Sequence, residues 1–324
     1  MRNPEGIARA LGKADSVCVC CHVNPDGDTL GSALALALSL RPLGKRVQVF
    51  CPDKVPDNLM FLPGAAEIRP CAPEDGPFDL FLAVDVSDPA RLGSSAEMLR
   101  RAADSAQIDH HGTNPGYCRI NSVDGEASAV SAMIYEQLGR MGLPVTSEIA
   151  VCLYTGLSTD TGNFAFDCTN PESFQVMEGL MRVGLPLAEL NMRLFREKDP
   201  RQLKLLGRAL ERMTWEAEGR IAVTTLTLRD FAECEALPEH ADALVNYGLE
   251  SLGTKMALLA REDGDGKVKF SLRARAPLAV DGIARRMGGG GHPRAAGISM
   301  AGTLAEKVPL VVEAMKETLT KEMK

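Results

Sequence analysis

Between residues 16 and 108 the chain repeats one pattern: a short apolar run, a stretch of helical periodicity, then another apolar run. The apolar runs cover 16–21, 47–50 and 80–84 and end again at 107–108, with helical segments at 28–40 and 95–102 between them. Strands that alternate with helices in this way predict an α/β fold, a mostly parallel sheet flanked by helices. In such sheets ligands gather beyond the carboxyl ends of the strands, so the residues after each apolar run matter most for function. Further along, residues 127–140, 147–157 and 171–183 read as consecutive helices, broken by Gly142-Leu143-Pro144 and Gly184-Leu185-Pro186. The second break is the expected domain boundary, giving a first domain over 1–185 and a charged helical linker over 186–215. From 216 a second, smaller α/β domain is expected, with β-rich runs at 221–228, 255–261 and 267–275. The Asp/Gly-rich segment 262–266 between the last two runs lacks the final carboxylate of a calcium loop and reads as a hairpin turn. At 324 residues the chain has room for both domains.

Composition removes several function classes. With 45% apolar and 24% charged residues the chain is an ordinary globular one, and its longest Leu/Ala run, 33–40, falls far short of the ~20 residues of a membrane span. No membrane partner is expected. A net charge of −7 disfavours a protein that coats long nucleic acid, so a nucleic-acid ligand should be short or held by a local basic patch. The first twenty residues lack the features of a secretory signal, and nine scattered cysteines suit reduced thiols, so the expected location is cytoplasmic. Cys18 and Cys21 form a C-x-x-C, but within an apolar run and without a second pair they read as core residues rather than a zinc or redox site.

The chemistry is concentrated where histidine is. Of five histidines, His22, His110, His111 and His292 lie in Gly- or Asp-rich segments that follow apolar runs. In His22-Val23-Asn24-Pro25-Asp26-Gly27-Asp28 an imidazole and two carboxylates can turn toward one point where a strand gives way to a helix. Asp85 ends the next apolar run, where a buried carboxylate needs a cation or hydrogen bonds. Asp88, before Pro89, reads as a helix cap. Asp109-His110-His111 ends the following run; adjacent histidines point different ways, so one can ligate a metal while the other faces substrate, with Asp109 fixing a ring tautomer. Asp160 closes a helix among small polar residues. His22, Asp26, Asp28, Asp85, His110 and Asp160 are too many ligands for one zinc, and a mixed imidazole and carboxylate set suits two Mn²⁺ ions ahead of Mg²⁺ or another divalent ion. Such a pair, roughly 3.5–4 Å apart, activates water and clamps the oxygens of a phosphoryl centre, which points to phosphoester hydrolysis.

These spaced residues resemble the ordered motifs of the DHH phosphoesterase superfamily. The segments Ser271-Leu272-Arg273-Ala274-Arg275 and Gly288-Gly289-Gly290-Gly291-His292-Pro293-Arg294 resemble those of its DHHA1 substrate-binding domain. Length and domain plan resemble the branch of bifunctional oligoribonucleases and 3′-phosphoadenosine-5′-phosphate (pAp) phosphatases. The resemblance implies that His22, Asp26 and Asp85 hold one Mn²⁺ and that Asp28, Asp85, His110 and Asp160 hold the other. It also implies that His111 faces the scissile phosphate, so Asp85, Asp109 and His111 are the expected catalytic set. Physically, the glycine run lets amides approach an anion, and Arg273, Arg275, His292 and Arg294 beside Gly289, Gly290 and Gly291 offer charged donors to phosphate. Arg285 and Arg286 read instead as a solvated helix face. The expected activity is release of 5′-mononucleotides from very short single-stranded RNA and dephosphorylation of pAp. Linear dinucleotides or cyclic-di-AMP are the alternative substrates, and a non-catalytic nucleotide sensor is the rival from another class. A homodimer is expected from the family resemblance alone.

Overall fold

A computed structural model describes residues 1–321, which fall into two compact units, Met1–Glu197 and a second from Lys198 onward. Among the described residues the first unit holds one five-stranded sheet, built from β1 (Ser16–Cys20), β2 (Arg46–Phe50), β3 (Leu80–Val84), β4 (Asp104–Asp109) and β5 (Ile120–Val123). All pairings are parallel, in the order β2-β1-β3-β4-β5, as the alternating pattern predicts. Its helices are α1 (Pro4–Lys13), α2 (Gly27–Leu40), α3 (Ala96–Arg101), α4 (Val130–Arg140), α5 (Ser147–Asp160), α6 (Pro171–Arg182) and α7 (Leu187–Asn191).

Every side chain of β1 is buried, and its two faces serve different cores. Val17, Val19 and Cys21 pack under the thick helical layer of α1, α2, α4 and α5, whereas Cys18 and Cys20 pack with Phe50, Phe78, Phe81 and Leu92 on the other side. The C-x-x-C pair therefore straddles the sheet, and its thiols are core filling. In the helical layer α2 and α5 cross at two glycines. A Cβ on Gly31 would sit 2.3 Å from the Cys152 carbonyl oxygen, and one on Gly156 would sit 2.5 Å from a carboxyl oxygen of Asp28. The backbones of the two helices are thereby brought close enough for their ends to share a site.

The second unit begins with α8 (Pro200–Glu211), followed by β6 (Thr214–Glu216), β7 (Ile221–Leu226), α9 (Leu228–Glu233), α10 (Asn246–Glu250), β8 (Met256–Asp263) and β9 (Lys267–Ala274). It ends with α11 (Asp281–Arg286), β10 (Gly290–His292), β11 (Ala295–Ala301) and α12 (Leu304–Lys321). Its mixed sheet runs β10-β11-β9-β8-β7-β6, parallel only between β7 and β8. One face packs on α11 and α12, and the opposite face packs on α8, α9 and α10 over β7 and β8. The stretch expected as a linker is divided: α7 stays with the first unit, and Leu205 and Ala209 of α8 enter the second unit's core beside Ala222, Leu226 and Phe231. No helix of the described residues is long and apolar enough to cross a membrane.

Candidate metal centre

Six of the side chains singled out in the first domain meet beyond the carboxyl ends of β1, β3 and β4. Asp26 caps α2: its Oδ1 accepts from the amides of Asp28 and Thr29 at 3.1 and 3.2 Å, while its Oδ2 lies 3.7 Å from His22 Nε2. One carboxylate thus starts the helix and faces the cluster. Asp28, one residue into α2, is fully buried. Its oxygens accept from the first amides of α4, Val130 N at 2.5 Å and Ser131 N at 2.9 Å. Ala129, the residue in the N-cap position of α4, has no side-chain acceptor, so Asp28 supplies the cap from 102 residues away and α4 starts at Val130 rather than at the expected 127.

Asp85 lies between the halves of the cluster. It follows β3 with φ +62°, a left-handed conformation uncommon for a residue other than Gly or Asn, and its amide donates to Ile108 O at 3.0 Å. Its Oδ2 is 3.4 Å from His22 Nε2, and its Oδ1 is 3.6 Å from His110 Nε2 and 3.5 Å from His111 Nδ1. Although buried, Oδ1 has no hydrogen-bond partner. His110 Nε2 also lies 3.2 Å from Asp160 Oδ2 at the end of α5. The Nδ1 atoms of His22 and His110 lie 2.7 and 3.3 Å from the carbonyls of Val23 and Ala127. A hydrogen on Nδ1 donated to a carbonyl leaves an Nε2 lone pair aimed at the carboxylates, the arrangement a metal ligand requires. The rings of His110 and His111 are 78° apart, as expected of neighbours pointing different ways.

His111 is held differently. Its Nδ1 lies 2.8 Å from Asp109 Oδ1, and the other Asp109 oxygen accepts from Asn114 Nδ2 at 2.5 Å. Burial alone would raise the carboxyl pKa of Asp109, but the bonds from His111 and Asn114 hold it below its ordinary range. A permanent carboxylate therefore orients the imidazole. Elsewhere the crowding acts the other way. Burial, reinforced by the charges of Asp28, Asp85 and Asp26, pushes the Asp160 carboxyl up to about 10, and burial with the Asp85 charge pushes Asp28 up to about 6. For His22, burial opposes protonation, yet its bonds to Asp26 and Asp85 raise it to about 9. A site so rich in mutually repelling carboxylates and aimed imidazoles suits a divalent cation. Three groups, His22/Asp26/Asp85, Asp28/His110/Asp160 and Asp85/His110/His111, each bring their ligand atoms within 4.8 Å of one another.

Asp88 is the cap expected, accepting from Ala90 N at 2.7 Å. Two nearby residues went unrecognised in sequence. Asn114 is buried and bonds to Asp109, Gln107 and Val86 O, and Arg91 places Nη2 3.0 Å from His22 Nδ1. Arg91 follows the Asp88-Pro89 helix start and carries no local signal of a partner 69 residues away.

In the second unit, His292 of β10, Ala295 of β11 and Arg273 of β9 are successive partners across the sheet, so His292 and Arg273 share one face. Arg273 is half-buried and donates to Leu272 O, while Arg275 and Arg294 donate to the carbonyls of Leu249 and Leu278. Two of the glycines have a packing reason that the anion reading did not include. A Cβ on Gly289 would meet Gly297 O at 2.1 Å, and one on Gly291, at φ +140°, would meet Ala295 O at 2.5 Å, so β10 could not pair with β11 otherwise. Gly290 faces open space.

Comparison with known proteins agrees with this arrangement. The DHH family N-terminal domain matches residues 16–157 and the DHHA1 domain residues 220–321. The chain is 34% identical over 305 residues, 94% of its length and 90% of the relative's, to the bifunctional oligoribonuclease and PAP phosphatase NrnA of Thermus thermophilus. It is 27% identical to the protein of the same name from Bacillus subtilis, covering 91% of this chain and 92% of that one. A crystal structure of an exopolyphosphatase-related protein from Bacteroides fragilis superposes with a TM-score of 0.88 at 26% identity, covering 98% of this chain and 95% of that one. With both domains matched in order and a relative this similar along nearly its whole length, the chain belongs to the DHH family, in the form that carries a DHHA1 domain.

Proposed function

We propose that this protein is a divalent-metal-dependent phosphohydrolase that releases 5′-mononucleotides from very short RNA and dephosphorylates pAp. The observation that carries the reading is Asp85, a buried carboxylate whose Oδ2 faces His22 and whose unpartnered Oδ1 faces His110, so that it joins the two ligand groups into one centre. The names of the Thermus thermophilus and Bacillus subtilis relatives support the substrate class. In this reading His22, Asp26 and Asp85 hold one cation, and Asp28, Asp85, His110 and Asp160 hold the second; Mn²⁺ is the preferred ion for this donor set. When bound, such a pair supplies a nucleophile at neutral pH and offsets charge on the phosphoryl oxygens.

The chain's own residues do the rest. Asp109 and Asn114 hold the His111 ring by Nδ1, leaving Nε2 to donate to an oxygen of the scissile phosphate. Asp28, pinned to α4, keeps its position without reorganising. In the second unit, Arg273, Arg275, His292 and Arg294, with the exposed Gly290 and Gly291, would bind the substrate's remaining phosphate and nucleotide; the Gly289 amide is already given to Ala284 O at 2.8 Å. The test is a substrate panel with metal-depleted and Mn²⁺-reconstituted protein: pAp, a dinucleotide, a trinucleotide, cyclic-di-AMP and a strand of about 24 nucleotides, with products resolved by chromatography. Turnover only with metal, and faster on pAp and the shortest strands, is expected, because a chain of net charge −7 offers little to distant phosphates. Fastest degradation of the long strand would refute the reading.

A further inference from the structure

Arg91 is an arginine beside an anionic centre that does not pair with any of its carboxylates. It is half-exposed, its main chain is docked on the His22 loop (Val23 N donates to Arg91 O at 2.8 Å), and its guanidinium reaches the outer edge of the His22 ring. Among the described residues its one recorded side-chain contact is Nη2 to His22 Nδ1 at 3.0 Å. A guanidinium always carries its charge and has only N–H donors, so a stable resting place for it is an acceptor, best an oxyanion.

His22 cannot satisfy it in the working state. Nδ1 faces two groups at once, the Val23 carbonyl at 2.7 Å, which can only accept, and Arg91 Nη2, which can only donate. With a hydrogen on Nδ1 the ring serves Val23; with a lone pair there it serves Arg91, and Nε2 then carries the hydrogen. If Nε2 is to offer its lone pair to a cation, as the proposed function requires, the hydrogen must sit on Nδ1 and Arg91 loses its acceptor. The guanidinium is anchored next to His22 by the Val23–Arg91 backbone bond, and its charge is also felt at His111, the other imidazole flanking Asp85. An oxyanion arriving at the centre is the acceptor within its reach.

We propose that Arg91 is a substrate-binding residue of this centre: anchored beside His22 by the Val23–Arg91 backbone bond and paired with none of the carboxylates, its guanidinium donates to the non-bridging oxygens of the phosphoryl group. The inference rests on the metal reading of His22 and adds to it a phosphate ligand outside the Asp/His set. It also gives the first unit a cationic contact of its own for phosphate, independent of the arginines of the second.

The test uses the full chain and the variants Arg91→Ala and Arg91→Lys, each checked by its thermal unfolding curve. Mn²⁺ is titrated calorimetrically into metal-depleted protein, and inorganic phosphate is titrated into the Mn²⁺-loaded protein. Arg91→Ala is expected to bind Mn²⁺ within about threefold of the wild type. Its affinity for inorganic phosphate should fall by about tenfold or more, the loss of one charge-assisted contact. Arg91→Lys, which keeps the charge without the fork, should recover part of it. Unchanged phosphate affinity in Arg91→Ala would overturn the proposal. So would loss of Mn²⁺ binding in that variant, which would make Arg91 a support for His22. A wild-type protein that takes up no Mn²⁺ would refute the metal centre itself, a result distinct from either, and Arg91's role would fall with it.

Discussion

Replacing Gly31 with alanine tests whether the close crossing of α2 and α5 sets the distance between the two halves of the centre. The added Cβ would lie 2.3 Å from the Cys152 carbonyl oxygen, and ordinary contact begins near 3.4 Å, so the helices must separate by roughly 1 Å or tilt. The obstruction is backbone and cannot rotate aside. Overpacking costs about 1–3 kcal/mol, a 2.3 Å clash with backbone belongs in the upper part of that range, about 2–3 kcal/mol, and alanine returns about 1 kcal/mol of helix propensity, leaving a net loss of about 1–2 kcal/mol. For a unit of this size that lowers Tm by about 2–8 °C. Because α2 carries Asp28 and α5 ends at Asp160, the same displacement should weaken Mn²⁺ binding. Gly139→Ala is the control: it lies on the exposed face of α4 with nothing near its Cβ position, and should leave Tm unchanged or slightly raised. Calorimetric unfolding and Mn²⁺ titration of both variants measure the difference. A Gly31→Ala protein that melts with Gly139→Ala and binds metal normally would refute the reasoning.

Further outcomes follow from the same geometry. Asp85→Asn keeps shape and tolerates φ +62°, but removes the charge between the two ligand groups; kcat should fall by about a thousandfold or more, roughly 4 kcal/mol of barrier, while the metal-free variant melts no lower than wild type. Loss within about tenfold would remove Asp85 from its bridging place. Asn114→Leu strips Asp109 of a buried donor and should cost about 1–3 kcal/mol in denaturant unfolding, with a fall in kcat of about tenfold or more as His111 loses its fixed orientation; unchanged kcat would mean His111 is held without it. His292→Ala should raise KM for pAp and dinucleotides yet spare hydrolysis of a small activated phosphodiester, and equal loss on both would contradict a substrate-binding role.

The parts legible in the sequence share a cause. β1 and β3 are buried on both faces, so their sequences are almost wholly apolar and the polar residues that follow them stand out. His22 and Asp85 are visible for that reason, His110 through its place in the Asp109-His110-His111 cluster, and Asp160 as an isolated acid closing a helix. β5 was not, because Asn121 and Ser122 of this edge strand bond to side chains and loops rather than forming an apolar run. The role of α8 was hidden by charge: two residues of the helix are fully buried, and a mostly polar helix reads as a connector until the sheet it covers is known. Arg91 and Asn114 act through contacts made by folding alone, to His22 and Asp109, and neither residue type is unusual where it stands.

The bond between Asp28 and the first turn of α4 bears on how the proposed centre would exchange an ion. Both oxygens of the buried Asp28 are held by amides of α4, whereas only Oδ1 of Asp26 is held, by the amides of Asp28 and Thr29, and Asp26 is more than half exposed at the rim. In the proposed two-ion reading, the rim carboxylate has one oxygen free to turn with a departing cation and the inner one has none, so the inner half would act as a rigid gauge of ionic radius and the outer half as a more compliant latch. The proposed second ion position, around Asp28, His110 and Asp160, would therefore discriminate among divalent ions by size and exchange slowly. The proposed position around His22 and Asp26 would accept several ions and exchange faster.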